Sequence, residues 1–167
     1  KYNLKKIPTD IEVSFNASPI LRQRYRQLLS IKPSREQSGV SVCAIMTKPL
    51  PCPHGKCDTC PGGIDSEFGT VPQSYTGKEP ATRRAIRNNY DPYLQVWNRL
   101  EQYIAMNKLP DKLELIIMGG TFPSYSKAYQ SYFIRYAFKA MNDFSDMFFS
   151  KDSSFDITKF KRFFLLP

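Results

Sequence analysis

Three cysteines lie within nine residues, in the order Cys52-Pro-His-Gly-Lys-Cys57-Asp-Thr-Cys60. Thiolates are the ligands that iron–sulfur clusters use, and three of them on one loop can each hold a different iron of a cubane. A [4Fe-4S] cluster with three cysteine ligands leaves its fourth iron open to an exogenous chelating ligand. The spacing therefore favours an open-site iron–sulfur cluster.

Three other uses of these cysteines stay open on spacing alone. Plant-type [2Fe-2S] ferredoxins share the spacing but need a fourth, downstream cysteine, and none follows Cys60. A structural Cys3His zinc site would use His54, which is closer to Cys52 than usual zinc spacings allow. Free buried thiols would need an apolar core that a loop of Pro and Gly does not offer. Cys43 stands apart in an apolar run, where we expect a small buried side chain.

The cysteines belong to a long loop that follows a strand. Val40 to Met46 is a continuous apolar run with β-branched residues, which is typical of a strand buried on both faces of a parallel sheet. From Lys48 to Tyr75 the chain is rich in Pro and Gly and predicts no regular element. A second buried strand, Leu113 to Met118, runs directly into Gly119-Gly120. Because parallel strands end at one edge, we expect this turn to face a ligand on the open iron with its bare backbone amides and carbonyls.

Helical patterns surround the two strands. Ser18-Pro19 is an N-cap and first-turn pair before an apolar repeat that reaches Leu29. A basic helical stretch covers Arg83 to Asn88, and an amphipathic helix with a core-facing aromatic stripe follows Asp91-Pro92. A third helix begins near Ser126, and its expected buried face is Tyr129, Tyr132, Phe133, Tyr136, Ala137, Ala140, Met141 and Phe144. The order of strand, loop, helix, strand and helix predicts an α/β fold built on a right-handed parallel unit.

The charge of the chain favours a polyanionic partner. It has 167 residues, enough for one ordinary core, with 24 Lys and Arg against 15 Asp and Glu and a formal charge of +9. Residues 1–48 carry nine of the basic side chains and three of the acidic ones. The candidate phosphate contacts are Arg22, Arg24 and Arg26 on the first helix, with Arg84 and Arg87 further along. A solvated charged face is the alternative for the first helix.

Membrane and secreted classes are disfavoured. No stretch approaches the roughly 18 to 20 apolar residues of a membrane helix, and Lys1 to Lys6 lacks the apolar stretch of a signal peptide. A disulfide between cysteines this close in sequence would close only a short loop, which is awkward geometrically, and this fits a reducing compartment. We therefore expect a soluble, cytoplasmic protein without a membrane partner.

Four longer motifs occur in the order CPGG, QSYTG, NNYDPYLQ and IIMGGTF. They resemble the elongator complex protein 3 family, the catalytic subunit of Elongator, in its archaeal form, and the similarity is continuous from Ser38 to about Phe144. The resemblance implies a radical S-adenosylmethionine (SAM) tRNA uridine acetyltransferase. It implies that residues 39–167 are the first part of a radical SAM (β/α) barrel, and the charge excess and helical pattern predict a basic helical N-terminal extension over residues 1–38.

The resemblance also implies roles for individual residues. Cys52, Cys57 and Cys60 would bind the [4Fe-4S] cluster, and Gly119, Gly120 and Thr121 would form the turn that contacts the SAM amino group. Lys112 would lie where the family contacts acetyl-CoA, although its place before a strand predicts only a solvated lysine. Most radical SAM enzymes have three residues in the first gap between cysteines, and this chain has the four that archaeal and bacterial members of the family share.

In the implied reaction, one electron from the cluster cleaves SAM to methionine and a 5′-deoxyadenosyl radical. That radical takes hydrogen from the methyl group of acetyl-CoA, and the carbon radical adds to C5 of the tRNA wobble uridine, leading to carboxymethyluridine. Elongator-like subunits or self-association are further candidate partners. The later barrel strands and the acetyltransferase domain are expected to lie outside this chain, so we expect it to be inactive alone. A non-catalytic, metal-stabilised RNA-binding module and a radical SAM enzyme with another substrate are the alternatives.

Overall fold

A computed structural model describes residues 6–25, 27–30, 37–152 and 154–160. These residues group into two compact units, one drawn from positions 1–41 and 99–114 and the other from positions 42–98 and 115–167. The whole loop that carries Cys52, Cys57 and Cys60 lies in the second unit. Across the described ranges, no helix combines the length and apolar character needed to cross a membrane.

The first unit opens with two short helices, α1 (Asp10–Asn16) and α2 (Pro19–Arg24). Helix α1 was not anticipated, and it begins with a capping box in which Thr9 and Glu12 exchange hydrogen bonds. Helix α2 has the predicted Ser18 cap, which accepts a hydrogen bond from the N–H of Leu21. The expected continuation to Leu29 is wrong. Leu28 is 78% exposed, so the apolar repeat gains little packing that would sustain further turns.

Two parallel strands, β1 (Ser41–Met46) and β2 (Leu113–Met118), form the sheet and agree with the predicted strands. Ser41 donates its N–H to the carbonyl of Lys112 at 2.8 Å, and Thr47 donates to Met118 at 3.0 Å. Cys43 is fully buried, as predicted. The expectation that β2 is buried is wrong, since Ile116 is 39% exposed. The exposed residues of β2, Glu114 and Ile116, alternate along the strand and therefore share one face of the sheet, which is left uncovered.

Side chains cover the edge of β1 that faces away from β2. The Gln95 amide accepts a hydrogen bond from the N–H of Met46 at 2.8 Å and donates one to its carbonyl at 2.9 Å. Arg84 donates to the carbonyl of Ala44 at 2.6 Å. Backbone groups alternate sides along a strand, and β1 uses its odd-numbered residues to reach β2, so these even-numbered residues face outward. Gln95 and Arg84 thus occupy the place of a neighbouring strand.

Three helices complete the described elements, α3 (Pro80–Arg87), α4 (Pro92–Ala105) and α5 (Lys127–Phe148), with a short 3-10 turn at Phe122–Ser124 before α5. Helix α3 begins three residues earlier than expected, because Pro80 is well suited to a first helical turn. Helices α4 and α5 agree with their predicted patterns.

Helix α5 packs its aromatic face against α4 within the second unit. Trp97 of α4 meets Phe144 edge-on with ring centroids 5.2 Å apart, so the aromatic stripe of α4 is core packing as predicted. The ring centroids of Phe160 and Phe148 are 5.1 Å apart, and this contact extends the aromatic cluster beyond the end of α5. Tyr132 and Tyr136 were expected to be buried but are each 39% exposed. They lie at the margin of the face, one position before its buried residues Phe133 and Ala137.

Candidate cofactor and metal site

The loop cysteines and the glycine turn line one cavity of about 480 Å³. The turn directly follows β2, and the loop directly follows β1, so the carboxyl ends of both parallel strands meet at the cavity. The cavity is lined by the residues predicted for the cluster and the SAM turn, Cys52, Cys57, Cys60, Gly119, Gly120 and Thr121, and by the alternative zinc ligand His54.

The turn after β2 requires glycine at its first position. Gly119 has φ of +125°, and a Cβ atom built there would lie 2.1 Å from Oγ1 of Thr47. Thr47 is fully buried, and its hydroxyl lies 2.9 Å from the phenol of Tyr125. Tyr125 in turn donates to the carbonyl of Lys48 at 2.7 Å. These contacts hold the ends of β1 and β2 together beside the cavity, a role for Thr47 that the sequence did not reveal.

A second tyrosine supports the start of the cysteine loop. The phenol of Tyr129 accepts a hydrogen bond from the N–H of Lys48 at 3.1 Å, and the ammonium of Lys48 lies 4.9 Å from the ring centroid. Burial raises the pKa of Tyr129 to about 12 and also raises the pKa of Tyr125. Both phenols therefore keep their protons at neutral pH and act as hydrogen-bonding groups rather than as charges.

Two of the cysteines contact the segment at residues 72–75. The N–H of Cys52 donates to the side-chain oxygen of Gln73 at 2.8 Å, and Gln73 is 7% exposed. The N–H of Ser74 donates to Sγ of Cys60 at 2.9 Å. Neither Gln73 nor Ser74 was among the predicted site residues, although both belong to the QSYTG motif. The spacing of residue types in the sequence does not show which backbone amides will donate hydrogen bonds to the site.

The three sulfur atoms are soft donors of the kind that iron–sulfur clusters use. Nε2 of His54 lies 3.3 Å from Sγ of Cys57, yet no three His, Cys, Asp or Glu side chains in the described parts of the chain are grouped so that they could hold one metal ion. A zinc centre needs its ligands to converge on one atom, whereas a cubane takes each thiolate on a separate iron. Three soft donors around a cavity, with an amide directed at one sulfur, fit an iron–sulfur cluster.

Known proteins with similar sequences match four fifths of this chain. No protein-family model matches it. It is 51% identical over 136 residues to the tRNA uridine(34) acetyltransferase of Methanocaldococcus infernus, which covers 81% of this chain and 26% of that protein. For Elongator complex protein 3 of Homo sapiens the identity is 44% over 140 residues, with 81% and 26% covered. The chain is homologous to the N-terminal part of Elongator complex protein 3. It spans about a quarter of the length of these relatives, and the resemblance seen in the sequence is confirmed.

In this Elongator complex protein 3 homologue, Lys112 is not one of the residues that line the cavity. Lys112 is exposed immediately before β2, and its carbonyl accepts a hydrogen bond from Ser41. It belongs to the first unit, whereas all residues of the cavity belong to the second. Its assignment to acetyl-CoA stays a prediction.

Two of the predicted phosphate contacts are used inside the fold. Arg22 is 9% exposed, and its Nε donates to the carbonyl of Ser14 at 2.9 Å. Burial lowers the pKa of Arg22 below its ordinary value. Arg84 is 6% exposed and bonds to Ala44 at the edge of β1. A guanidinium with five N–H donors satisfies buried carbonyls well, so an arginine-rich stretch does not by itself indicate a phosphate contact.

The exposed candidates are Arg24 and Arg87, while Arg26 lies outside the described residues. Arg83 is also exposed on α3, and it lies one turn before Arg87. Residues four apart are neighbours on a helix surface, so these two arginines form a cationic face. Arg83 was not singled out from the sequence, because without a fold it is indistinguishable from the buried Arg84.

Proposed function

We propose that this chain supplies the cluster- and SAM-binding part of an enzyme that modifies the wobble uridine of tRNA. The observation that carries the proposal is the cavity where the three loop cysteines meet the Gly119-Gly120 turn. The relatives' name, tRNA uridine(34) acetyltransferase, supports the substrate and the acetyl donor. Because the chain spans a quarter of those proteins, the activity proposed is that of the whole protein.

The residues around the cavity have separate roles in this proposal. Cys52, Cys57 and Cys60 hold the [4Fe-4S] cluster, and the cluster with SAM supplies one-electron radical chemistry when both are bound. Gly119 and Gly120 carry no side chains, so their backbone groups are accessible to the amino and carboxylate groups of SAM. The Thr121 hydroxyl lies 3.8 Å from Sγ of Cys52 and adds a polar group on the same side.

The fold proposed for the whole protein is a radical SAM (β/α) barrel. The strands β1 and β2 with the intervening helices form one parallel unit of such a barrel, and residues 39–167 are its first part, preceded by the basic extension of residues 1–38. Acetyl-CoA with Lys112, Elongator-like subunits or self-association, and a cytoplasmic location are carried from the family resemblance.

Anaerobic reconstitution with iron and sulfide tests the cluster. We expect about four irons per chain and a reduced cluster whose electron paramagnetic resonance (EPR) spectrum changes when SAM is added. Alanine in place of Cys52, Cys57 or Cys60 should remove both signals, whereas Cys43→Ala is the matched control that keeps them. One zinc per chain without visible absorption near about 400 nm would overturn the proposal in favour of a metal-stabilised RNA-binding module.

Salt-dependent binding tests the interaction with tRNA. Replacing Arg83 and Arg87 together by alanine should weaken tRNA binding and lower the slope of log affinity against log salt by about 1 for each phosphate that is no longer neutralised. The exposed Arg135 of α5 offers a control substitution of the same chemistry. An unchanged slope in the double variant would assign tRNA binding to other parts of the protein.

A further inference from the structure

The last part of the loop, at residues 72–75, folds back to two of its cysteines. Gln73 contacts the backbone of Cys52, which lies 21 residues earlier, and Ser74 contacts the sulfur of Cys60, which lies 14 residues earlier. Residues 72–75 therefore contact both the first and the last of the three cysteines. The two contacts differ in kind, because one fixes a ligand's backbone and the other reaches a donor atom.

The backbone around Ser74 is shaped to make its contact. Ser74 has φ of +72°, a left-handed conformation that residues other than glycine adopt rarely. The neighbouring Tyr75 closes a turn onto the carbonyl of Pro72 at 3.2 Å. A Cβ atom at Gly62 would lie 1.8 Å from the carbonyl oxygen of Tyr75, so glycine is needed there for the close approach. A strained residue and a required glycine thus bring the Ser74 N–H to the sulfur.

An N–H directed at a cluster ligand alters the energy of reduction. The thiolate ligands share the negative charge of an iron–sulfur cluster, and a hydrogen-bond donor stabilises that charge more as the cluster gains an electron. The bond from Ser74 to Cys60 therefore raises the reduction potential of a cluster held there. Gln73 acts through Cys52 as a positioning residue, because its oxygen fixes the backbone from which that ligand extends.

Building on the proposed function, we propose that residues 72–75 form a clamp on the cluster loop, in which the Ser74 amide tunes the cluster potential and Gln73 positions Cys52. Ser74 is then a positioning residue of this chain whose backbone, rather than its hydroxyl, matters. A backbone role predicts different results for glycine and valine at position 74. A role of the hydroxyl would predict the same loss for both, because neither residue has one.

Potentiometric titration of the reconstituted cluster tests the amide. Ser74→Val should shift the midpoint potential to more negative values, because a β-branched residue disfavours the left-handed conformation that directs the N–H. Ser74→Gly keeps both the conformation and the N–H, so its potential should match that of the unaltered protein. A Ser74→Gly shift as large as that of Ser74→Val would overturn the proposal.

Iron release tests the positioning role of Gln73. With a chelator in excess, Gln73→Leu should lose iron faster than the unaltered protein, since the N–H of Cys52 then lacks its acceptor. Gln73→Glu retains an acceptor oxygen of the same reach, so its rate should return most of the way to that of the unaltered protein. Equal rates for the leucine and glutamate variants would contradict the clamp.

Isotope labelling tests whether the Ser74 amide lies next to the cluster even if Ser74→Val fails to fold. In protein made by cell-free synthesis with 15N-serine and unlabelled glycine, pulsed EPR of the reduced cluster should detect a coupled 15N nucleus, and Ser74→Gly should remove it because glycine then brings an unlabelled nitrogen. Absence of the coupling from a cluster that responds to SAM would overturn this inference alone. Failure of the unaltered protein to form any cluster would overturn the proposed function together with it.

Discussion

The cysteine loop and the packed face of α5 hold their shapes by different means. Long-range hydrogen bonds onto backbone atoms position the loop, as between Gln73 and Cys52, whereas α5 is fixed by rings such as Trp97 and Phe144. Apolar packing is non-directional and supplies most of the free energy, while hydrogen bonds contribute less but constrain particular atoms. A loop positioned in this way thus has positional accuracy without a core of its own.

The largest effect should come from the aromatic face. Phe144 is 2% exposed and touches Trp97, Phe148 and Phe160, so Phe144→Ala should lower the free energy of unfolding by about 3–5 kcal/mol. Phe138, on the same helix but 53% exposed, gives the matched Phe138→Ala control. Urea unfolding followed by circular dichroism measures both. Equal midpoints for the two variants would contradict the role given to the packed face.

A smaller effect is expected where a polar side chain replaces a strand. Gln95→Leu leaves the N–H and the carbonyl of Met46 without their partner, which should cost about 1–3 kcal/mol of unfolding free energy. Gln27 is exposed, so Gln27→Leu serves as the same chemical change without a buried partner. If Gln95→Leu changed the free energy of unfolding no more than this control, the side chains that cover the edge of β1 would contribute nothing to stability.

The difference between the two regions also explains what the sequence could predict. The strands β1 and β2 and the helices α4 and α5 each carry a local apolar pattern, and these patterns were sufficient to find them. Helix α1 was missed although its start has a usable signal, the Thr-x-x-Glu of a capping box at Thr9 and Glu12. The burial of Arg22 and Arg84 was not predictable, since their carbonyl partners come from other elements.

For the site, spacing was enough to assemble the cysteines and the glycine turn at one cavity but not to find what supports them. Gln95 contacts Met46 across 49 residues, and Gln73 contacts Cys52 across 21. Such contacts connect a side chain with a backbone atom, and every residue has the same backbone groups. No residue type or period therefore marks the partner, and only the folded chain identifies it.

Acid should weaken the polar region selectively through Glu79. Burial would raise the pKa of Glu79, but hydrogen bonds from Thr76 and Thr82 outweigh it and lower the pKa from 4.5 to about 2. Because the folded pKa lies below the unfolded one, ionised Glu79 stabilises the fold fully above about pH 4.5 and loses this contribution as the pH falls to about 2.

Glu79→Gln removes the ionisable carboxyl group and so tests whether ionised Glu79 stabilises the fold. At pH 7 the variant should have a lower free energy of unfolding than the unaltered protein, by less than the Gln95→Leu effect. This difference in free energy should become smaller toward pH 3. Thermal unfolding at a series of pH values measures the gap. Glu67 is exposed, and Glu67→Gln should show no such convergence. A gap that stayed constant with pH would rule out the carboxylate as its cause.

The smallest effect concerns a sulfur in the apolar region. Cys43 is fully buried in β1, so Cys43→Ala should cost only packing, about 1 kcal/mol, and leave the iron content unchanged. Cys57 is exposed on the loop, and Cys57→Ala should cost little stability in the metal-free protein but abolish iron binding. A loss of iron in Cys43→Ala would show that the two regions are not separable in this way.

The covered edge of β1 has a consequence for the order of events during synthesis. As the chain emerges from its N-terminus, β1 appears first, then Arg84 and Gln95, and only afterwards β2. The two side chains that bond to Ala44 and Met46 are therefore available before the partner strand exists. Once these bonds form, β1 has a single open edge for β2, so we expect pairing on the wrong side, or with a neighbouring nascent chain along that side, to be disfavoured.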